Sequence, residues 1–406
     1  MFSGLRRVER YVRTRPLVDE RLGVLVAVGF GWFLLLGTRL VIPALLPNIR
    51  AEFAFSNAIA GSLYTLLLGV AALLQLPGGI IADRVGGRSV LLLGIGAGVG
   101  GVTLLAAAPT VAAFVLGIVL FGAGTGIYGT PRVTVLSAVY PDRDGTAIGL
   151  VSAAGNAGTT LLPVVAGSLA AAVGWAYGFW FAVPLLVLGL GLVWRFVPAA
   201  AGKADGTTSF REDARTVLAG IGDRRVLLAT AIMTVMFFTY QGVTAFLPTY
   251  LVEAKSVSEQ VAATLFGLFF AGGVVFQVVG GNLGDRFGQR RAMTGLLFAS
   301  AVTVFSLPFV PSGLVLVPLV LALSVQLGFW PIVFSYTVAA LPDEGQASGL
   351  GLLRTFYLLV GALGSTAVGI LADADLFDEA FFLLAGLALV ATLATLLLPA
   401  PHGEEA

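Results

Sequence analysis

Long apolar runs alternate with short polar connections along the whole chain. The runs at 22–47, 90–108 and 381–398 each reach the ~18 residues that cross a hydrocarbon core as a helix. Read through to the end, the pattern predicts twelve spans, at 22–47, 57–82, 90–108, 111–139, 146–171, 176–197, 226–250, 259–283, 292–310, 314–341, 347–371 and 379–399. None of them alternates apolar and polar residues with period two, as a barrel strand would. Lipid satisfies no backbone polar group, so the segments must be helices. The one long polar connection, 198–225, falls at mid-chain and divides it into a first bundle at 22–197 and a second at 226–399. Residues 1–21 and 400–406 are read as polar ends, and 211–221 as a short helix lying on the membrane surface.

Composition agrees with a chain that lives in lipid. Hydrophobic residues make up 58% of it, only 11% is charged, and the mean hydropathy is +0.97. A soluble domain carries roughly 25% charged residues. The arginine-rich segment 1–21 runs into a full-length span, which predicts that no signal peptide is cleaved. With no cysteine there is no disulfide, thiolate metal site or thiol nucleophile, and the single histidine, His402, sits beside Glu404 and Glu405 in the polar tail as a solvated residue. Walker lysine, metal cluster and catalytic triad patterns are absent from the sequence, so no cofactor, nucleic-acid partner or enzymatic activity is expected.

Charge sets the orientation. With both termini in the cytoplasm, only Arg50 and Lys255 of the loop cations fall outside, and the arginines at 6–21, the cations of 195–225, and Arg84, Arg88, Arg143, Arg286, Arg290 and Arg291 fall inside. That is the positive-inside pattern of an inner-membrane protein.

The halves repeat each other. Asp83-Arg84-Val85-Gly86-Gly87-Arg88 recurs as Asp285-Arg286-Phe287-Gly288-Gln289-Arg290 at an offset of 202, Gln75 recurs as Gln277 at the same offset, and Gly145–Leu150 recurs as 345–350 at 200. A duplicated six-helix unit places a substrate site near the bilayer midplane between its copies. Small-residue runs such as Gly94-Ile-Gly96-Ala-Gly98 and Gly122-Ala-Gly124-Thr-Gly126 predict close helix packing rather than nucleotide binding.

The run from Gly79 through Asp83-Arg84 to Arg88 resembles the major facilitator signature Gly-x-x-x-Asp-Arg-x-Gly-x-Arg, and the run from Gly281 to Arg290 repeats it. The resemblance implies an all-α fold of twelve helices in two pseudo-symmetric halves, alternating access, and commonly a monomer. It also implies an inner latch made by Asp83, Arg84 and Arg88, with Asp285, Arg286 and Arg290 as its second copy. Span 1 is similar to the anion:cation symporter and organophosphate antiporter branches: Arg39 precedes Pro47 by eight residues, and Glu52-Phe53-Ala54-Phe55-Ser56 follows. In those branches the arginine belongs to the substrate site.

Arg39, Arg132 and Arg354 are the charges that fall inside spans, and no Asp or Glu does. Each guanidinium costs roughly 2.5–3.5 kcal/mol on insertion scales, so each needs water, carbonyls, a π face or an anion. Its planar fork suits carboxylate or phosphate oxygens. Helices 1, 4, 7 and 10 line the cavity in the resembled fold, which favours Arg39 and Arg132; Arg354 could snorkel to the inner surface. The polar second tier is Gln75, Asn156, Tyr240, Gln241, Gln277, Gln326, Trp330 and Tyr336. The expected function is transport of a small, organic or inorganic anion across the cytoplasmic membrane. Exchange or uniport is expected rather than a proton relay, and a counter-anion or coupling ion is a further partner. Two other readings stand beside it: efflux of hydrophobic drugs or metabolites, and a non-transporting sensor.

Overall fold

A computed structural model describes residues 17–199, 201, 223–341 and 346–399. The leader arginines at 6–15, the surface helix expected at 211–221, and the tail with His402 lie outside the described residues. The described residues form helices and no strand. Twelve are long and apolar enough to cross a membrane: spans 1 to 12 are Glu20–Ala44, Asn57–Val85, Gly87–Ala107, Val111–Val139, Asp144–Val173, Tyr177–Phe196, Arg224–Glu253, Glu259–Phe287, Gln289–Phe309, Leu316–Ala340, Gly349–Asp373 and Phe377–Thr395.

Backbone contacts group the chain into two units. One holds residues 1–40, 70–162 and 176–206, and the other 41–69, 163–175 and 207–406. The far ends of spans 1, 2 and 5 therefore belong with spans 7 to 12, a partition that crosses the two sequence halves.

In the first unit, spans 3 and 4 meet backbone to backbone. A Cβ on Gly124 would strike the Gly94 carbonyl, and one on Gly101 the backbone of Phe121. Gly126 lies just as close to Ala71 of span 2, and Gly158 of span 5 to Phe33 of span 1. The glycine runs are packing faces, as their spacing predicts. Span 4 is interrupted between Val111–Gly129 and Pro131–Val139, because Pro131 has no N–H to continue the ladder.

In the second unit, Gly280 of span 8 abuts Gly328 of span 10, as Gly78 of span 2 abuts Ile127 of span 4 in the first. Span 10 is not one continuous helix. A tight turn at Ser324–Leu327 separates Leu316–Leu323 from Phe329–Ala340. The buried side chains of spans 7, 9, 10 and 12, among them Met233, Met236, Met293, Phe329 and Tyr336, make the core of this unit.

The repeated motif has one geometry in both copies. Gly86 (φ 94°, ψ 142°) and Gly288 (φ 82°, ψ 145°) each end one span and start the next. Positive φ with ψ near 140° is open essentially to glycine alone.

Candidate functional site

Trp32 and Arg39 of span 1 are seven residues apart, hence on one side of the helix and about 10 Å apart along its axis. Across from Trp32, the Arg132 guanidinium sits 4.0 Å over the indole centroid. Tyr128, one turn before Arg132, lies parallel to the same indole, with centroids 6.3 Å apart and planes 7° apart. Its hydroxyl, fully buried, donates to the Val28 carbonyl at 2.9 Å. Two glycines make the space: a Cβ on Gly155 would meet the indole edge, and one on Gly31 the Tyr128 hydroxyl.

A stack of this kind returns about 0.5–2 kcal/mol, a substantial part of the insertion cost of Arg132. Arg132 lies seven residues before the end of span 4. Arg39 is half-buried, and its Nε is buried without a hydrogen-bond partner, as is the hydroxyl of Thr38. Gln75 is half-buried on span 2 beside span 4, where its main-chain carbonyl accepts from the Thr130 hydroxyl at 3.0 Å. Asn156 follows Gly155 on span 5, and its main-chain carbonyl accepts from the Thr159 and Thr160 hydroxyls at 2.7 and 3.1 Å.

The second unit gathers rings. Phe237 and Tyr240 of span 7, Trp330 of span 10 and Tyr357 of span 11 form one cluster, with Phe237 5.8 Å from Trp330 and 5.6 Å from Tyr357, and Trp330 6.5 Å from Tyr240. Tyr240 and Trp330 are thus brought together. Gln241, next in sequence, is 1% exposed, and its Nε2 has no partner. Gln326, equally buried, donates to the Leu323 carbonyl at 3.1 Å inside its own turn. Gln277 is half-buried on span 8. Arg354 is exposed, one turn before Tyr357, five residues into span 11. Tyr336 spends its hydroxyl on the Pro399 carbonyl at 3.1 Å.

At the motif turns, Asp83 and Arg84 are exposed, and Arg88 lies over Trp194 at 5.8 Å. Asp285 and Arg286 are exposed too, and Arg290 reaches the Leu398 carbonyl at 3.4 Å.

The opposite ends of the helices in the second unit are tied by polar contacts. The Asp373 carboxylate accepts the N–H groups of Asn57 (2.6 Å) and Ala58 (2.9 Å), the first turn of span 2. Thr65 donates to the Ala362 carbonyl at 2.8 Å and meets the hydroxyls of Ser365 and Thr366. Asn48 donates to Glu259 at 2.9 Å, and Arg50 pairs with Glu253.

Sequence reasoning passed over Trp32, Tyr128, Phe237 and Tyr357. The first two had a signal in the seven-residue step from Trp32 to Arg39 and the four-residue step from Tyr128 to Arg132. The tie between Asp373 and span 2 had none, because its partners are more than 300 residues apart.

Comparison with known proteins agrees with this architecture. The family model described as Major Facilitator Superfamily matches residues 27–258 and again 231–406. The fosmidomycin resistance protein of Escherichia coli (strain K12) is 25% identical over 385 residues, 93% of each chain. A probable nitrate/nitrite antiporter, NarK1 of Thermus thermophilus, is 28% identical over 288 residues, 68% of this chain and 63% of that one. The crystal structure of a point mutant of the nucleoside transporter NupG superposes with a TM-score of 0.80 at 15% identity, covering 93% of this chain and 99% of that one, a likeness of fold. From the doubled family match and the repeated glycine turn alike, the conclusion is that this chain belongs to the Major Facilitator Superfamily of membrane transporters.

Proposed function

We propose that the chain transports a small anion by alternating access, with Arg39 and Arg132 as the groups that hold it. The observation that carries this reading is the pair of guanidiniums served by one face of span 1, one stacked on Trp32 and the other with a buried, unpartnered Nε. Among the described residues, every carboxylate lies in a loop or within a turn of a helix end, whereas Arg39 lies five residues inside span 1. An anion with two or three oxygens would meet the planar fork of each arginine. The similarity to a nitrate/nitrite antiporter supports the same substrate class. Asp83, Arg84 and Arg88, with Asp285, Arg286 and Arg290, form the inner latch, the membrane is the cytoplasmic one with both termini inside, and the working unit is a monomer. Without an intramembrane acid, exchange of anions is favoured over a proton relay.

The test is uptake into proteoliposomes of labelled nitrate, monocarboxylates, dicarboxylates, sugar acids and phosphate esters, with and without anion inside. Flux of one class, lost in folded Arg39→Gln, supports the reading; stimulation by internal anion adds exchange. Transport of neutral or cationic compounds by Arg39→Gln at the wild-type rate overturns it. The second reading, drug or metabolite efflux, is favoured by the ring cluster of Phe237, Tyr240, Trp330 and Tyr357 and by the similarity to a fosmidomycin resistance protein.

A further inference from the structure

The indole of Trp32 is fixed on three sides. Tyr128 lies parallel to it, and the hydroxyl that anchors Tyr128 is itself tied to the Val28 carbonyl, one turn before Trp32 on the same helix. Gly155 of span 5 presses on its edge so closely that no Cβ fits. Arg132 lies over its face at 4.0 Å. All five residues belong to one compact unit. A guanidinium laid on a ring gives its face to the π cloud, and its N–H groups, which lie in its own plane, then point sideways.

We infer that Trp32 is a positioning residue: it holds the Arg132 guanidinium flat, so that the N–H edge is presented to the transported anion before the anion arrives. The inference rests on the anion reading above. Its physical content is preorganisation. A free arginine must lose its rotamer freedom on binding, whereas a stacked one has already lost it, and the gain appears in affinity. Gly155 is part of the same device, because a methyl group there displaces the indole that Arg132 rests on.

The experiment compares wild type with Trp32→Phe, Trp32→Leu, Gly155→Ala and Arg132→Gln in proteoliposomes. Initial uptake of labelled nitrate, acetate, benzoate and inorganic phosphate is measured, and KM and Vmax are determined for those the wild type moves. Trp32→Leu and Gly155→Ala are expected to raise KM about tenfold with Vmax within about twofold, and Trp32→Phe, which keeps a ring, to stay within about threefold of wild type. A merely structural tryptophan would lower the yield of folded protein or Vmax and leave KM alone. If Arg132→Gln abolishes uptake while Trp32→Leu and Gly155→Ala keep the wild-type KM, the positioning role is overturned and the anion reading stands. If Arg132→Gln transports normally, or wild type moves none of the four anions, the anion reading falls and the positioning role with it.

Discussion

Arg39 and Arg132 carry the same charge through the membrane by different means. Arg132 rests on a ring and gains a π contact, whereas Arg39 is half-buried with part of its guanidinium unpartnered. The two should respond differently to lysine. Arg39→Lys retains charge and loses the fork, so uptake of a carboxylate should fall at least about tenfold, the scale of one lost charge-assisted hydrogen bond. Uptake equal to wild type would show that charge alone suffices there. At Gly288 the backbone itself is the constraint, with φ at 82° and ψ at 145°. Gly288→Ala should destabilise the second unit by about 1–3 kcal/mol, read as a lower unfolding midpoint in detergent. An unchanged midpoint would mean that the turn relaxes. The arginines and both motif glycines were legible in sequence because charge inside an apolar run and a repeated Asp-Arg-x-Gly string are local signals. Trp32 offered only its seven-residue step to Arg39, and one tryptophan among many aromatics is ordinary until the residue stacked on it is known.

The elements show which helix ends are capped by a neighbour rather than by their own sequence. The first turn of span 2 donates two N–H groups to Asp373 at the end of span 11, and Thr65 binds the same span about two turns further along. Gly61 and Gly369 let the two helices touch, each Cβ being excluded by a carbonyl of the partner. Asp373→Ala should cost about 1 kcal/mol, the usual worth of a helix cap at an exposed position. A cysteine introduced at Ala58 should then react faster with a thiol reagent. Equal rates in both backgrounds would show that Thr65 and the glycine contact hold span 2 without the carboxylate. The existence of all twelve spans was legible, because apolar runs of that length have one stable form in lipid; their ends moved by up to four residues. The turn at Ser324–Leu327 within span 10 was not, as nothing in that apolar run departs from a helical composition.

At the scale of the whole molecule, duplication is the organising fact. The glycine turns of the motif and the close crossings at Gly78 and Gly280 recur in both sequence halves. The orientation proposed from the arginine asymmetry is open to a direct check, because the chain contains no cysteine. In intact cells an impermeant maleimide should label Ser258→Cys, next to Lys255, and should reach Ser89→Cys, next to Arg88, only after permeabilisation. The reverse pattern would invert the topology.

By itself the sequence determined the twelve spans, the repeat, the side on which each loop is expected and the rarity of charge inside lipid. All of these follow from how the solvent treats one segment at a time. Tertiary structure decided that Arg132 rests on Trp32, that Asp373 closes the end of a helix more than 300 residues away, and that the far ends of spans 1, 2 and 5 pack with spans 7 to 12. Those outcomes depend on which apolar faces meet. Apolar faces of equal hydrophobicity are told apart only by the shapes that fit, such as the space left by Gly155 for an indole.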